Sequence, residues 1–163
     1  MIQALREKFQ DRLIIGAGTV LDSETARHAI LHNAQFIIAP NFSQEVAVMC
    51  NRYQIPYAPG CTTLTEALQA LEAGAAFIKA FPISDFYGPR LVSVFKTPIP
   101  YMPILASGGI DLKNLKDYVL RGVDCCGFGS LLTKGSREEI AANARSIRTL
   151  IDEARQEMQT TAG

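Results

Sequence analysis

Phe77-Ile78-Lys79-Ala80-Phe81-Pro82 is a short apolar run with one lysine at its centre. In a strand, side chains alternate between faces, so Phe77, Lys79 and Phe81 share one face and Ile78 and Ala80 take the other. The run follows a helical pattern in which Thr63 and Glu66 form a capping box and Gly74 ends the helix. Strand and helix therefore alternate here, and the same unit recurs on both sides. Upstream, Leu13-Ile14-Ile15 runs into Gly16-Ala17-Gly18-Thr19, and Asp22 caps a helix to about Asn33. Phe36 to Ala39 is a strand ending at Pro40-Asn41, and Ser43 caps a helix to about Tyr53. Ile55 to Ala58 is a short strand ending at Pro59-Gly60. Ile2, Leu5 and Phe9 mark a helix before all of these. Downstream come a helix around Arg90 to Phe95, a strand from Met102 to Ala106 and a helix capped by Asp111 that ends at Gly122. A strand from Val123 to Phe128 follows, and Ser136 with Glu139 caps a long last helix to about Met158.

Six nearly all-apolar strands alternating with helices predict an α/β fold with a parallel sheet covered on both faces. Strand starts fall about every 20 to 25 residues, which suits an open doubly wound sheet or a TIM barrel. No GxGxxG follows a strand and opens a helix, so a dinucleotide fold is disfavoured. The 163 residues are enough for one domain, taken as 1–163. Sixteen basic residues balance sixteen acidic ones with no basic run, which argues against a nucleic-acid partner. No signal-peptide pattern and no bilayer-length apolar run is present, so a cytoplasmic protein without a membrane partner is expected. Cys50, Cys61, Cys125 and Cys126 have neither zinc-ligand spacing nor a secreted disulfide pattern, which fits reduced, buried thiols.

The residues able to carry chemistry follow the strands: Thr19, Asn41, Gly60, Lys79, Ser107 and Ser130. Both candidate architectures build their sites at that carboxyl edge. Lys79 sits on the face of two phenylalanines, where burial lowers an amine's pKa and favours the neutral, nucleophilic form. The alternative is a strand-end lysine whose ammonium reaches water. Ser107-Gly108-Gly109-Ile110 and Gly127-Phe128-Gly129-Ser130 end the last two strands, where glycines let backbone N–H groups approach an anion. His28 and His32 share a helix face but have no third ligand nearby, so no metal is expected. Cys61 follows Pro59-Gly60, in position to line a site at that strand end.

These motifs resemble the class I KDPG/KHG aldolases, cleaving 2-keto-3-deoxy-6-phosphogluconate or 4-hydroxy-2-oxoglutarate. The resemblance is carried by Ile15 to Leu21, Phe36 to Pro40, Pro56 to Gly60, Phe77 to Pro82, Ser107 to Ile110 and Gly127 to Leu132, in the family's order. It implies a TIM (β/α)8 barrel of the aldolase type, here partial with about six parallel strands, a homotrimer or other homo-oligomer, and no metal or cofactor. The implied substrate is a small, possibly phosphorylated keto acid, cleaved to pyruvate and an aldehyde. It would make Lys79 the Schiff-base lysine, set Thr19, Pro40 and Phe81 around the pyruvyl part, and put Ser107, Gly108, Gly109 and Ser130 on the phosphate or distal carboxylate. Ser107 stands where many members have threonine, and Ile83 to Gly88 departs from the usual loop after the lysine strand. The family's first strand, first helix and second strand have no counterpart here, and that second strand carries its acid/base glutamate and a substrate-binding arginine. Glu24, Glu45, Glu66 and Glu72 lie in predicted helices, and Asp85 is the carboxylate nearest Lys79 in sequence. The chain alone is therefore expected to be a poor aldolase, or an inactive remnant. Another phosphate-binding barrel, an epimerase or synthase with Lys79 as a cation, is the remaining alternative.

Overall fold

In the computed structural model, residues 1–82 and 86–161 are described. They fall into two compact units, Met1–Phe81 and Pro82–Gly163.

The first unit contains α1 (Ile2–Phe9), a 3₁₀ turn (Gln10–Arg12), α2 (Ser23–Leu31), β1 (Ile37–Ile38), α3 (Gln44–Arg52), β2 (Tyr57–Ala58), β3 (Gly60–Cys61), α4 (Leu64–Glu72) and β4 (Ile78–Ala80). α2, α3 and α4 each start where a side chain satisfies an orphan amide, whereas α1 has no side-chain cap. Asp22 accepts from the Thr25 amide at 2.6 Å, and Ser43 accepts from Val46 at 3.3 Å. Thr63 and Glu66 form the reciprocal capping box. Parallel register pairs Ile37 with Tyr57 and Ile38 with Ala58, then Gly60 with Lys79 and Cys61 with Ala80. Ile37, Ala39, Val46, Cys50 and Tyr57 are buried with the inner residues of α2 and α3. Ile78 and Ala80 are buried while Lys79 between them is not, which is the alternation expected of β4.

Two strands differ from the expectation. Leu13–Ile15 forms no strand; the segment contributes only a parallel bridge between Ala17 and Ile37. Its pairing is taken up on one side, by Gln35, whose amide donates to the Ile15 carbonyl at 2.8 Å and whose side chain accepts from the Ile15 amide at 2.9 Å. Leu13 and Ile14 are exposed. The third expected strand is split, because Pro59 has no N–H to give a ladder. β2 pairs with β1 before the proline, and β3 pairs with β4 after it.

The second unit contains α5 (Arg90–Lys96), β5 (Ile104–Ser107), α6 (Leu115–Leu120), β6 (Cys125–Gly127), α7 (Ser130–Thr133) and α8 (Arg137–Thr161). β5 and β6 are parallel, pairing Leu105 with Cys125, Ala106 with Cys126 and Ser107 with Gly127. Asp124 locks the start of this pair. Its carboxylate accepts from the Ile104 amide at 2.7 Å and from the Lys96 ammonium at 2.8 Å. α8 packs on α6 and α7, burying Leu115, Tyr118, Val119, Ile147 and Ala154. Asp111 caps as expected, accepting from the Lys113 and Asn114 amides at 2.8 and 3.0 Å, but regular helix begins only at Leu115. α7 was not foreseen; four residues are too few to show a period.

Candidate active site

In the first unit, Thr19, Pro40 and Gly60 follow successive parallel segments, and Lys79 is the middle residue of β4. The Val20 amide donates to the Ile38 carbonyl at 3.1 Å, which sets Thr19 at the carboxyl end of the Ala17 bridge. Thr19 has φ 59, a left-handed conformation that a β-branched residue rarely adopts. Ala39 donates to Ala58 at 3.1 Å, leaving Pro40 at the end of β1. The Pro40 carbonyl lies where any Cβ on Gly60 would have to go, so glycine is required there by close backbone approach. The buried Tyr57 hydroxyl donates to the Asn41 carbonyl and accepts from the Ser43 amide, both at 3.3 Å, tying down the loop after Pro40. Burial pushes its phenol up to about 12.

Lys79 is half-buried, and its amide donates to the Pro59 carbonyl at 2.9 Å. Its ammonium nitrogen lies 4.1 Å from the centroid of the Phe81 ring. Burial holds its amine below the ordinary lysine value. The structure thus brings Lys79 and Phe81 together as the alternation required. It also supplies a residue the sequence reading missed: the Thr62 hydroxyl donates to the Phe81 carbonyl at 2.7 Å. No local sequence signal marks it, because the bond joins residues 19 positions apart.

Cys61 does not line this edge. It is buried on the opposite side of β3, and burial pushes its thiol up to about 12, far from a reactive thiolate. Three of the carboxylates considered for proton transfer are engaged locally. Glu66 accepts from the Thr62 and Thr63 amides at 2.9 Å, Glu45 from the Ser43 hydroxyl at 2.8 Å and Glu24 from the Ser23 hydroxyl at 3.1 Å. Glu72 is the last residue of α4, and Asp85 lies outside the described residues. The His28 and His32 ring centroids lie 4.3 Å apart, with the rings tilted by 40°. Among the described residues no group of three or more His, Cys, Asp or Glu could hold a metal ion.

In the second unit, Ser107 ends β5 and leads into Gly108 and Gly109, with φ 90 and 63. Two consecutive left-handed residues favour glycine. Asn114 fixes this turn: its side chain donates to the Gly109 carbonyl at 2.8 Å and accepts from the Asp111 amide at 2.9 Å. The pairing of Ser107 with Gly127 brings the two glycine-bearing strand ends side by side. A Cβ on Gly127 would lie 3.0 Å from the Ser107 Cβ. Gly108, Gly109, Gly129 and Ser130 are exposed, and Ser130 opens α7.

Parallel strands alternating with helices, with a half-buried lysine in β4 and glycine turns after β5 and β6, fit a β/α fold. The family model for KDPG and KHG aldolase matches residues 1–147, and the chain belongs to that family. It is 36% identical over 137 residues to the 2-dehydro-3-deoxy-6-phosphogalactonate aldolase of Escherichia coli, covering 83% of this chain and 66% of that one. It therefore spans just under two thirds of that relative's length. A solved native KDPGal structure superposes with TM-score 0.88 at 36% identity, over 95% of this chain and 76% of that one. A KDPG aldolase from Legionella pneumophila, with pyruvate captured at low pH as a covalent carbinolamine intermediate, superposes with TM-score 0.75 at 28% identity, over 94% of this chain and 71% of that one. The fold is accordingly that of the aldolase-type TIM barrel, with six strands among the described residues. No helix among the described residues is long and apolar enough to cross a membrane.

Proposed function

We propose that this chain carries the Schiff-base chemistry of a class I aldolase, acting on a 2-keto-4-hydroxy acid such as 2-keto-3-deoxy-6-phosphogluconate or 4-hydroxy-2-oxoglutarate. The observation that carries the reading is Lys79, a half-buried amine in β4, 4.1 Å from the Phe81 ring and held below the ordinary lysine pKa by burial. A neutral amine attacks the C2 ketone, and loss of water gives an iminium that draws electrons from the C3–C4 bond. As that bond breaks, the C4 hydroxyl gives up its proton and leaves as an aldehyde, while C3 remains as a pyruvate enamine. Protonation at C3 and hydrolysis release pyruvate and free Lys79. Thr19, Pro40 and Phe81 enclose the pyruvyl part, while Ser107, Gly108, Gly109 and Ser130 take the phosphate or distal carboxylate. The family match and the carbinolamine of the Legionella relative support the same chemistry. We also propose one barrel domain over 1–163, a cytoplasmic location and a homo-oligomer, with a trimer the state to test by sedimentation.

Reduction with borohydride in the presence of pyruvate should leave a covalent adduct on Lys79, located by peptide mass spectrometry. An adduct on another lysine, with Lys79 unmodified in folded protein, overturns the assignment.

A further inference from the structure

Lys79 and Phe81 are two residues apart, so β-strand alternation puts them on one side. That alone does not bring the ring over the ammonium. β4 ends at Ala80, and Phe81 is followed by a proline. The ladder weakens at this point: the Phe81 amide reaches the Cys61 carbonyl only at 3.4 Å. The Thr62 hydroxyl takes over, donating to the Phe81 carbonyl at 2.7 Å. Thr62 is itself anchored, because its amide donates to Glu66 at 2.9 Å. The same Glu66 oxygen accepts from the Thr63 amide and hydroxyl, both at 2.9 Å. The position of the ring thus traces back through Thr62 to the capping box of α4. Nζ sits 4.1 Å from the ring centroid, inside the roughly 6 Å at which a ring face attracts a cation.

An imine-forming lysine has two opposed needs. It must be neutral to attack, which burial favours. Once the carbinolamine hydroxyl has taken a proton and left as water, nitrogen carries one hydrogen and a positive charge, which burial disfavours. A carboxylate beside Nζ would favour the protonated amine. A ring face pulls more weakly and offers no base. Burial lowers the pKa of the free amine. Cys61 of β3 is buried with its thiol pushed up to about 12, and Glu66 of α4 is occupied by the cap.

We propose that the Phe81 ring is the partner of the positive charge on Nζ when Lys79 is an iminium, and that Thr62 is the positioning residue that holds it there. The proposal rests on the Schiff-base reading above. It makes Phe81 an electrostatic participant, in addition to a wall of the pyruvyl pocket.

The test compares the wild-type chain with Phe81→Leu, Phe81→Tyr, Thr62→Val and Thr62→Ser. Two quantities are measured: the titration of Lys79, from the pH dependence of its modification by an amine-selective acylating reagent, and the yield of borohydride-trapped pyruvate adduct. Leucine keeps an apolar side chain and removes the ring face. A contact of this kind corresponds to roughly a 3- to 30-fold change in an equilibrium constant. Phe81→Leu should therefore lower the imine equilibrium constant by that factor and make Lys79 easier to deprotonate, with Phe81→Tyr near wild type. Thr62→Val should move both quantities in the same direction by less, and Thr62→Ser should restore them. Equal trapping and equal titration in wild type and Phe81→Leu, both folded by circular dichroism, overturn this proposal and leave the Schiff-base reading standing. Absence of any adduct in the wild-type chain overturns both, and the titration arm then shows whether the ring contact with the ammonium exists regardless.

Discussion

Gly60→Ala is the sharpest test of how the carboxyl edge is built. Gly60 has no positive φ, so alanine costs nothing in backbone conformation, and the whole effect is steric. Its Cβ would run into the Pro40 carbonyl and sit 2.9 Å from the Asn41 amide nitrogen, both backbone atoms that cannot rotate away. Overpacking of this kind costs about 1–3 kcal/mol. Loss of unfolded-state freedom on replacing glycine returns about 0.4–1 kcal/mol. The net expectation is a destabilisation of up to about 2.6 kcal/mol. For a chain of 163 residues, that is a fall in melting temperature of up to roughly 10 °C. Gly18→Ala is the internal control. Nothing lies within 4 Å of a Cβ there, so only the favourable entropic part should remain. The assay is thermal and urea unfolding of both variants beside the wild type, with pyruvate trapping as a second readout. Gly60 pairs with Lys79, so any displacement of β3 should also reduce the adduct yield. Gly60→Ala melting level with Gly18→Ala would refute the close approach of β1 and β3.

Lys79→Met should give no pyruvate adduct and unfold at no lower temperature at neutral pH. The folded pKa of Lys79 is depressed, so protonating it costs the folded state stability below that pKa, and the penalty disappears as pH rises towards the ordinary value near 10.5. A lower melting temperature for the methionine variant would contradict this sign. Asp124→Ala should cost about 1–3 kcal/mol in urea unfolding, because it leaves the amide of the buried Ile104 without its acceptor. Lys96→Met, which removes only the partly exposed ion pair, should cost under about 1 kcal/mol; equal losses would refute the distinction. Gly109→Asp should weaken inorganic phosphate binding, by adding a carboxylate at an exposed left-handed position beside Gly108; unchanged affinity in calorimetry would count against an anion site there.

The parts of the fold governed by neighbours in sequence were legible. Asp22, Ser43 and Thr63 with Glu66 cap their helices as read, since a cap involves residues three apart. Ser136 and Glu139 bond reciprocally at the start of α8. The side of β4 that carries Lys79 followed from alternation. What was not legible depends on distant partners. Leu13–Ile15 looks like a strand by composition, but strand status requires a ladder, and Gln35 takes the Ile15 groups instead. The placing of Cys61 in the core followed from where β3 restarts after Pro59, which no local pattern reveals. The hydrogen bond from Thr62 to Phe81 spans 19 positions and links two strand ends. For the same reason, the pairing of Ser107 with Gly127 gave the two glycine turns a common location only in three dimensions.

The four thiols are divided between the two compact units, Cys50 and Cys61 in the first and Cys125 and Cys126 in the second. Cys50 is buried, whereas Cys125 and Cys126 are only partly so, contrary to the expectation of buried thiols; burial pushes Cys50 and Cys126 up to about 11, which slows their exchange with a disulfide reagent. The chain therefore carries its own clocks for local opening. If the units open as one, Cys50 and Cys126 should acquire label with a common rate and a common denaturant dependence. If they open separately, the two rates should diverge in mild urea before the bulk spectroscopic transition begins, and the faster thiol marks the weaker half.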